Sequence, residues 1–426
     1  MVTENPSLLI LSGVQGDSRR YRTFHLYEQA RLAGLNCQLT HITDSHLRPK
    51  ISGASVIILH RAAFDSQVAW IEKEIHRQGG ILINDLDDLI FDPDTIQYIH
   101  SPDFADPVRR SLYLEDVHRF RQTLDVSDHV IVSSNYLLER VQQLGKTASI
   151  HRNAFSLEML SLADTAEHML EAKDGHIVIG YASGTPTHDQ DFALIKPALV
   201  SILQHNPQVV LWLVGRLDPG KDWGSLEDRV KVIEFVPWRK LNAIQASFDI
   251  NLAPLQIDNP FGQSKSEIKY IEAALLRVPT IASPSDAYRY AIQDGQNGYL
   301  KRSTMEWEAC LAELLNNFVL RSVLGKHAYE DVLKHYYPTL RANQLVDTLN
   351  TICANRFRFQ YLPPETDAES KPAGPFWSCA AFERTPTLLQ RGVYTLKHRN
   401  IQTLLKQIWI FIRRFVSPLF PFPNPP

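Results

Sequence analysis

Cysteine is scarce in this chain. Cys37, Cys310, Cys353 and Cys379 lie far apart, without the spacing of a metal site or a C-x-x-C redox site. That argues against a disulfide scaffold and points to a reducing, cytoplasmic setting. Long apolar runs are also missing. None reaches the roughly 20 residues needed to cross a bilayer. No secretion signal is read at the start, where residues 1–7 are polar and the apolar run at 8–11 is short. A third lack is local: no Asp or Glu follows Glu383, whereas Arg384, Arg391, Lys397, Arg399, Lys406, Arg413 and Arg414 do. The formal net charge of −3 therefore combines an acidic body with a basic tail. Such a tail suits an anionic surface as partner; no nucleic-acid partner is expected.

What is present is an α/β rhythm. The 426 residues are enough for two or more domains, and 44% hydrophobic with 21% charged residues is a globular composition. Short apolar runs at 8–11, 37–42, 56–59, 81–84, 130–133 and 149–151 read as strands. Helical stretches fall at 21–32, 66–77, 107–124 and 136–144. The rhythm breaks at 155–175 and restarts, with strands at 177–181, 209–214, 230–235, 250–255 and 280–282. Strands apolar throughout imply parallel sheets covered on both faces. The expected fold class is α/β: two facing Rossmann-like domains with a cleft between them. The divisions are 1–154, a linker at 155–175, a second domain at 176–338, a helix at 339–354, a linker at 355–400 and a tail at 401–426.

The most informative stretch is 259–274, NPFGQSKSEIKYIEAA, between a strand and a helix. Asn259, Pro260 and Gly262 suit a turn, and Ser264 and Ser266 are good helix N-caps. Lys265, Lys269 and Glu272 fall on one helical face. Two readings stand: a solvated face with i,i+4 pairs, or lysines that hold phosphate at a helix N-terminus beside a carboxylate that holds a sugar hydroxyl. Ser183, Gly184 and His188, in the loop 180–189, read either as a capped turn or as a phosphate cradle. Gly13 and Gly16, with Arg20 and Arg22 close by, read as an ordinary strand-to-helix turn or an anion site. His60 ends a strand, as a proton shuttle or a satisfied polar residue. Asp87 and Asp88 belong to an acidic cluster at 85–88 that could form a turn or meet acceptor hydroxyls, and no metal is assigned to it.

Four segments carry a family resemblance: RYRTFHLYEQ at 20–29, DLDDLIFDP at 85–93, the loop 180–192, and 259–283 with its IEAALLRVPTIAS ending. Together they resemble the family 4 glycosyltransferases of GT-B fold. The resemblance implies transfer of a sugar from a nucleoside diphosphate sugar, with retention of configuration, and without a metal or other cofactor. It implies a donor site on the second domain and an acceptor site on the first, the acceptor being a glycan, a glycolipid or a similar group, lipid-linked or not. Donor contacts are then expected from Gly13, Gly16, Arg20, Ser183, Gly184, His188, Arg216, Val236, Ser264, Lys265 and Glu272. His60, Lys269 and Glu272 become the catalytic candidates; Arg22, Asp87 and Asp88 the acceptor-side ones. The helix at 339–354 would pack back on the first domain.

The chain departs from the family pattern twice. Ser264 stands where the family has the first of two glutamates, and Ser183 and His188 stand roughly where it has an arginine and a lysine on the diphosphate. These departures keep a second reading open, a GT-B-like binding or regulatory subunit without chemistry. The tail segment 401–416 reads as one amphipathic helix, either docked on the body or lying on an anionic membrane. The second case would make a cytoplasmic enzyme, peripheral at the inner face of the plasma membrane.

Overall fold

The computed structural model describes residues 6–15, 17–168, 175–354, 356–362 and 386–416. Within them lie two six-stranded parallel sheets. The first is built from β1 (Leu8–Ser12), β2 (Cys37–His41), β3 (Val56–His60), β4 (Ile81–Leu86), β5 (His129–Val132) and β6 (Ala148–Ile150), in the order β2-β1-β3-β4-β5-β6. The second holds β7 (Ile177–Ser183), β8 (Val209–Gly215), β9 (Val230–Ile233), β10 (Ile250–Ala253), β11 (Thr280–Ala282) and β12 (Tyr299–Leu300), in the order β12-β11-β10-β7-β8-β9. The apolar runs become strands because both faces are covered. Leu9, Leu11, Ile57 and Leu59 pack against Ile71 and Ile75 of helix α1 (Ser66–Arg77). The alternate residues Leu8, Ile10, Val56 and Ile58 face the opposite side.

That opposite side is closed from far along the chain. Helix α2 (Pro338–Cys353) places Ala342, Leu345 and Leu349 in the core of the first sheet. The chain thus crosses from the first sheet to the second and returns, which fixes the two sheets with their strand ends toward one cleft.

The stretches expected as linkers both contain helices. Helix α3 (Leu157–His168) lies inside 155–175 and inserts Met159, Ala163 and Ala166 into the core of the second sheet. Its small and apolar residues form a face that the loss of the α/β alternation concealed. Helix α4 (Leu388–His398) lies inside 355–400, with a Thr387 capping box, and is followed by helix α5 (Ile401–Val416). Strand β12 was not anticipated; it is two residues long and half-buried.

The α4–α5 hairpin is docked on the body by polar contacts. Lys406 pairs with Glu115 at 2.5 Å and Arg399 with Asp116 at 2.9 Å, while Tyr394 donates to Asp65 at 2.8 Å. Thr403 is buried, whereas Ile401, Leu405, Ile408 and Ile412 are 43–59% exposed. The hairpin therefore turns much of its apolar face outward. The end of the tail, 417–426, lies outside the described residues.

Candidate functional site

Ligands of open parallel sheets bind outside the strand carboxyl ends, where the strand order reverses. In the second sheet that point lies between β7 and β10. A cleft of about 530 Å³ opens there, lined by both domains. That size suits a small-molecule ligand. Its second-domain wall includes Ser183, Gly184, His188, Arg216, Val236, Lys265, Lys269 and Glu272; its first-domain wall includes Arg20, Tyr21, Arg61, Asp87 and Asp88. Gly215 adopts φ +106°, and a Cβ there would lie 2.0 Å from the Ser183 carbonyl oxygen. Only glycine lets the ends of β7 and β8 approach so closely at the cleft floor.

The 259–274 stretch is not one helix. Asn259 caps a single turn, Pro260–Gln263, and a second helix, α6, begins at Ile268. Glu267, at the N-cap of α6, is buried and accepts from the Tyr336 hydroxyl at 3.0 Å. Burial pushes its carboxyl pKa up, against the pull of Arg152. This buried anchor fixes the start of α6, so that Lys269 and Glu272 project into the cleft from a rigid element. Lys265 precedes the helix but lines the same cleft.

Lys269 Nζ donates to the carbonyl of Ala182, at the end of β7. Burial draws its pKa down to about 8, with Glu272 opposing. A desolvated ammonium held against a carbonyl is poised to take an anionic ligand. Glu272 reaches across the cleft, accepting from the Tyr21 hydroxyl and pairing with Arg20 at 3.4 Å. Both partners come from the entry of the first helix, where residues 20–24 form a π-helical turn. Such turns recur at functional sites because they redirect side chains. Arg20 is also sandwiched, 4.1 Å from the Tyr21 ring centre and 4.6 Å from that of Trp238.

The first-domain wall is an ion-pair network. Arg61 binds Asp87 and Asp88, each at 2.5 Å, and Lys265 crosses the cleft to Asp88 at 3.0 Å. Burial raises the Asp88 pKa, but Lys265 and Arg61 outweigh it and hold the carboxyl down at about 2. Arg61 itself sits at φ +43°, a strained conformation for a side-chain-bearing residue and common at working sites.

Several anticipated contacts are not made. His60 is fully buried, with Nδ1 3.0 Å from Asp85, and does not line the cleft. Arg22 is buried behind it, donating to Asp85 through Nε at 3.0 Å and also to the His151 carbonyl. A strand end placed His60 near the cleft and the first strand-to-helix turn placed Arg22 there; the inward partner Asp85 draws both into the first-domain core. Ser264 is also fully buried, donating to the Phe261 carbonyl at 2.8 Å and accepting from Leu89 N–H at 3.2 Å. It therefore ties the two domains together rather than facing the cleft, and neither it nor Ser266 caps α6. Gly13 does not line the cleft either. A Cβ there would lie 2.5 Å from the Arg61 carbonyl oxygen, so this glycine makes room for the strained turn at Arg61. Gly16 lies outside the described residues.

Tyr21, Arg61 and Trp238 were missed as cleft residues. The sequence signal for Arg61 was its place just after β3, for Tyr21 its place in the segment 20–29 and for Trp238 its place beside Val236; Arg20 lies over both rings only when the domains face each other.

Residues 177–317 match the model of the family "Glycosyl transferases group 1". Solved structures agree over most of the chain. Anabaena HepE in complex with UDP is 16% identical, with a TM-score of 0.55, over 81% of this chain and 100% of its own. Sucrose-phosphate synthase from Thermosynechococcus elongatus is 16% identical, with a TM-score of 0.56, over 82% of this chain and 99% of its own. A glycosyltransferase from Rickettsia africae is 11% identical, with a TM-score of 0.58, over 83% of this chain and 100% of its own. The fold is GT-B. No curated protein matches the chain. At these identities the structural likeness speaks for the fold, and the resemblance of the second domain extends to its sequence.

Proposed function

We propose that this GT-B chain transfers a sugar from a nucleoside diphosphate sugar to a glycan or lipid-linked acceptor, with retention of configuration and without a metal. The carrying observation is the strand-end cleft in which Lys269, Lys265 and His188 surround the Ser183–Gly184 loop, with Glu272 one turn deeper. A diphosphate would sit among the cations and the loop. Glu272 would accept hydrogen bonds from the sugar or ribose, and Arg216 with Val236 would border the base. Fixed cations stabilise the charge that grows on a departing diphosphate. Holding an acceptor hydroxyl beside it lowers the barrier through orientation. Asp87 and Asp88 on the opposite wall are the acceptor-side groups of this reading. The UDP bound by HepE, in the same fold, supports a nucleotide in this cleft.

The buried Ser264 favours a second reading, a nucleotide-sugar-binding subunit without transfer, because it leaves Glu272 as the only one of the paired acidic positions filled by an acid. Calorimetric screening against UDP-, GDP-, ADP- and dTDP-sugars, followed by product analysis, separates the two. Binding with turnover supports the enzyme; binding without turnover for any acceptor supports the subunit; no binding overturns both.

The reading extends to a cytoplasmic enzyme held at an anionic membrane by its tail. No helix among the described residues is long and apolar enough to cross a membrane. The α4–α5 hairpin turns Leu389, Val393, Leu405 and Phe411 to solvent on a segment without acids. Each cation near an anionic surface contributes about 1 kcal/mol. The full chain should sediment with anionic liposomes at low salt and release at high salt, while a chain truncated after Glu383 should not bind. Equal sedimentation of both forms would remove the tail from the account.

A further inference from the structure

His188 occupies the diphosphate end of the cleft with an arrangement that restricts what it can bind. Its Nδ1 lies 2.8 Å from Asp191 Oδ2, and Asp191 Oδ1 accepts from Gln256 N–H at 2.8 Å. The carboxylate is buried and held from two sides: by its own helix, Asp189–His205, and by the chain leaving β10. An ionised carboxylate only accepts hydrogen bonds, so Nδ1 must carry the proton. Neutral His188 then presents a bare lone pair at Nε2, which repels a phosphate oxygen. Only the imidazolium has an Nε2–H to donate.

We propose that His188, positioned by Asp191, is a proton-coupled phosphate clamp: the cleft takes up a proton at His188 when a diphosphate binds. This rests on the reading of the cleft as a nucleoside diphosphate sugar site and adds the protonation step to it.

The surroundings set the direction. Burial lowers the His188 pKa; Asp191 opposes this, while Lys269 and Lys265 add to the lowering. Asp189 lies on the same helix, and Asp88 of the opposite wall is held by Lys265. His188 is thus neutral near pH 7 before ligand arrives. A diphosphate reverses the local field by offsetting the two lysines and supplying an acceptor for Nε2–H. Uptake of one proton makes affinity fall by at most tenfold per pH unit above the titration. A permanent cation at this position would bind without that dependence.

The test is calorimetric titration of the full chain with UDP-, GDP- and ADP-glucose, whose diphosphate diesters lack the terminal phosphate that titrates at about pH 6, between pH 6.0 and 8.0 in buffers of different ionisation enthalpy. The wild type should take up close to one proton near pH 7, with affinity declining toward pH 7.5. His188→Arg should bind with little pH dependence between pH 6.0 and 7.0 and without proton uptake in that window, leaving only the uptake by Lys269 that grows toward pH 8. His188→Gln should bind more weakly at pH 6.0, also without uptake. Lys269 remains in all three proteins, so its own titration near pH 8 serves as an internal reference. Binding without proton uptake in the wild type, or with undiminished uptake in His188→Arg, overturns the inference and leaves the nucleotide site intact. Failure to bind any of the three nucleotide sugars overturns the inference together with the site.

Discussion

The two walls of the cleft are both rich in charge, yet they spend it differently. On the first-domain wall, Arg61 is saturated by Asp87 and Asp88, and Asp88 takes Lys265 from the facing domain as well. Behind it, Arg22, Asp85 and His60 Nδ1 form a buried set paired within the first domain. On the second-domain wall, Lys269 rests on a carbonyl, His188 on one carboxylate and Arg216 over the ring of Phe235 at 4.9 Å. A wall whose cations already hold carboxylates offers an anion little. On the second wall Lys265 shares Asp88 and His188 holds Asp191, but Lys269 rests on a carbonyl and Arg216 on a ring, and these two gain from an anion. The difference supports the proposal that the anionic donor meets the second wall and the acceptor hydroxyl the first.

The largest expected effect comes from the residue that joins the walls. Glu272→Gln keeps the shape but removes the charge facing Tyr21 and Arg20. A charged hydrogen bond is worth about 1.5–3 kcal/mol, so kcat/KM should fall roughly ten- to a hundredfold. Thermal denaturation should show little change, since the carboxylate sits at the cleft rather than in the core. Wild-type turnover would remove Glu272 from the donor site.

A second effect follows from Lys269, whose ammonium is lost as pH rises through about 8. A lowered lysine pKa means the cation is present below that pH and absent above it. Donor affinity should therefore drop from pH 7.5 to 9, by up to about tenfold per unit at the alkaline end. Retained affinity at pH 9 would show that Lys269 carries no part of the clamp.

The smallest effect has the opposite sign. Asp88→Asn releases Lys265 from its cross-cleft pair, and donor affinity should rise by up to about fivefold, the scale of a partly exposed ion pair. Stability should fall slightly at neutral pH. The Asp88 carboxyl, held down at about 2, stabilises the fold above its ordinary range, and that contribution is lost as pH falls through 2. Weaker donor binding in this variant would mean that the first wall helps to hold the donor directly.

Much of this architecture was legible in the sequence, for a physical reason. Parallel strands buried on both faces must be apolar throughout, and helices that cover them must show a periodic face. Runs such as 56–59 and 209–214 therefore mark strands without further information. The loop 180–189 and the stretch 259–283 were legible as candidate ligand segments because glycine, hydroxyls and lysines collect at strand-to-helix turns. What escaped was direction and partnership. A histidine at the end of a strand could point into the cleft or into the core, and Asp85, distant in sequence, turned His60 inward. Ser264 was placed by its neighbour Leu89, from the other domain. In α5, periodicity revealed an apolar face but not that Glu115 would hold Lys406 to the body, beside Asp116 on Arg399 at the end of α4.

The central claim is that the second wall holds the diphosphate, and one comparison reaches it directly. The nucleoside diphosphate selected by screening and its parent nucleoside are titrated by calorimetry into the wild type and into Lys269→Ala at pH 7. The account predicts that the variant loses most of the affinity gained from the diphosphate, while the nucleoside binds both proteins equally. An equal loss for both ligands, or no loss for either, would contradict it.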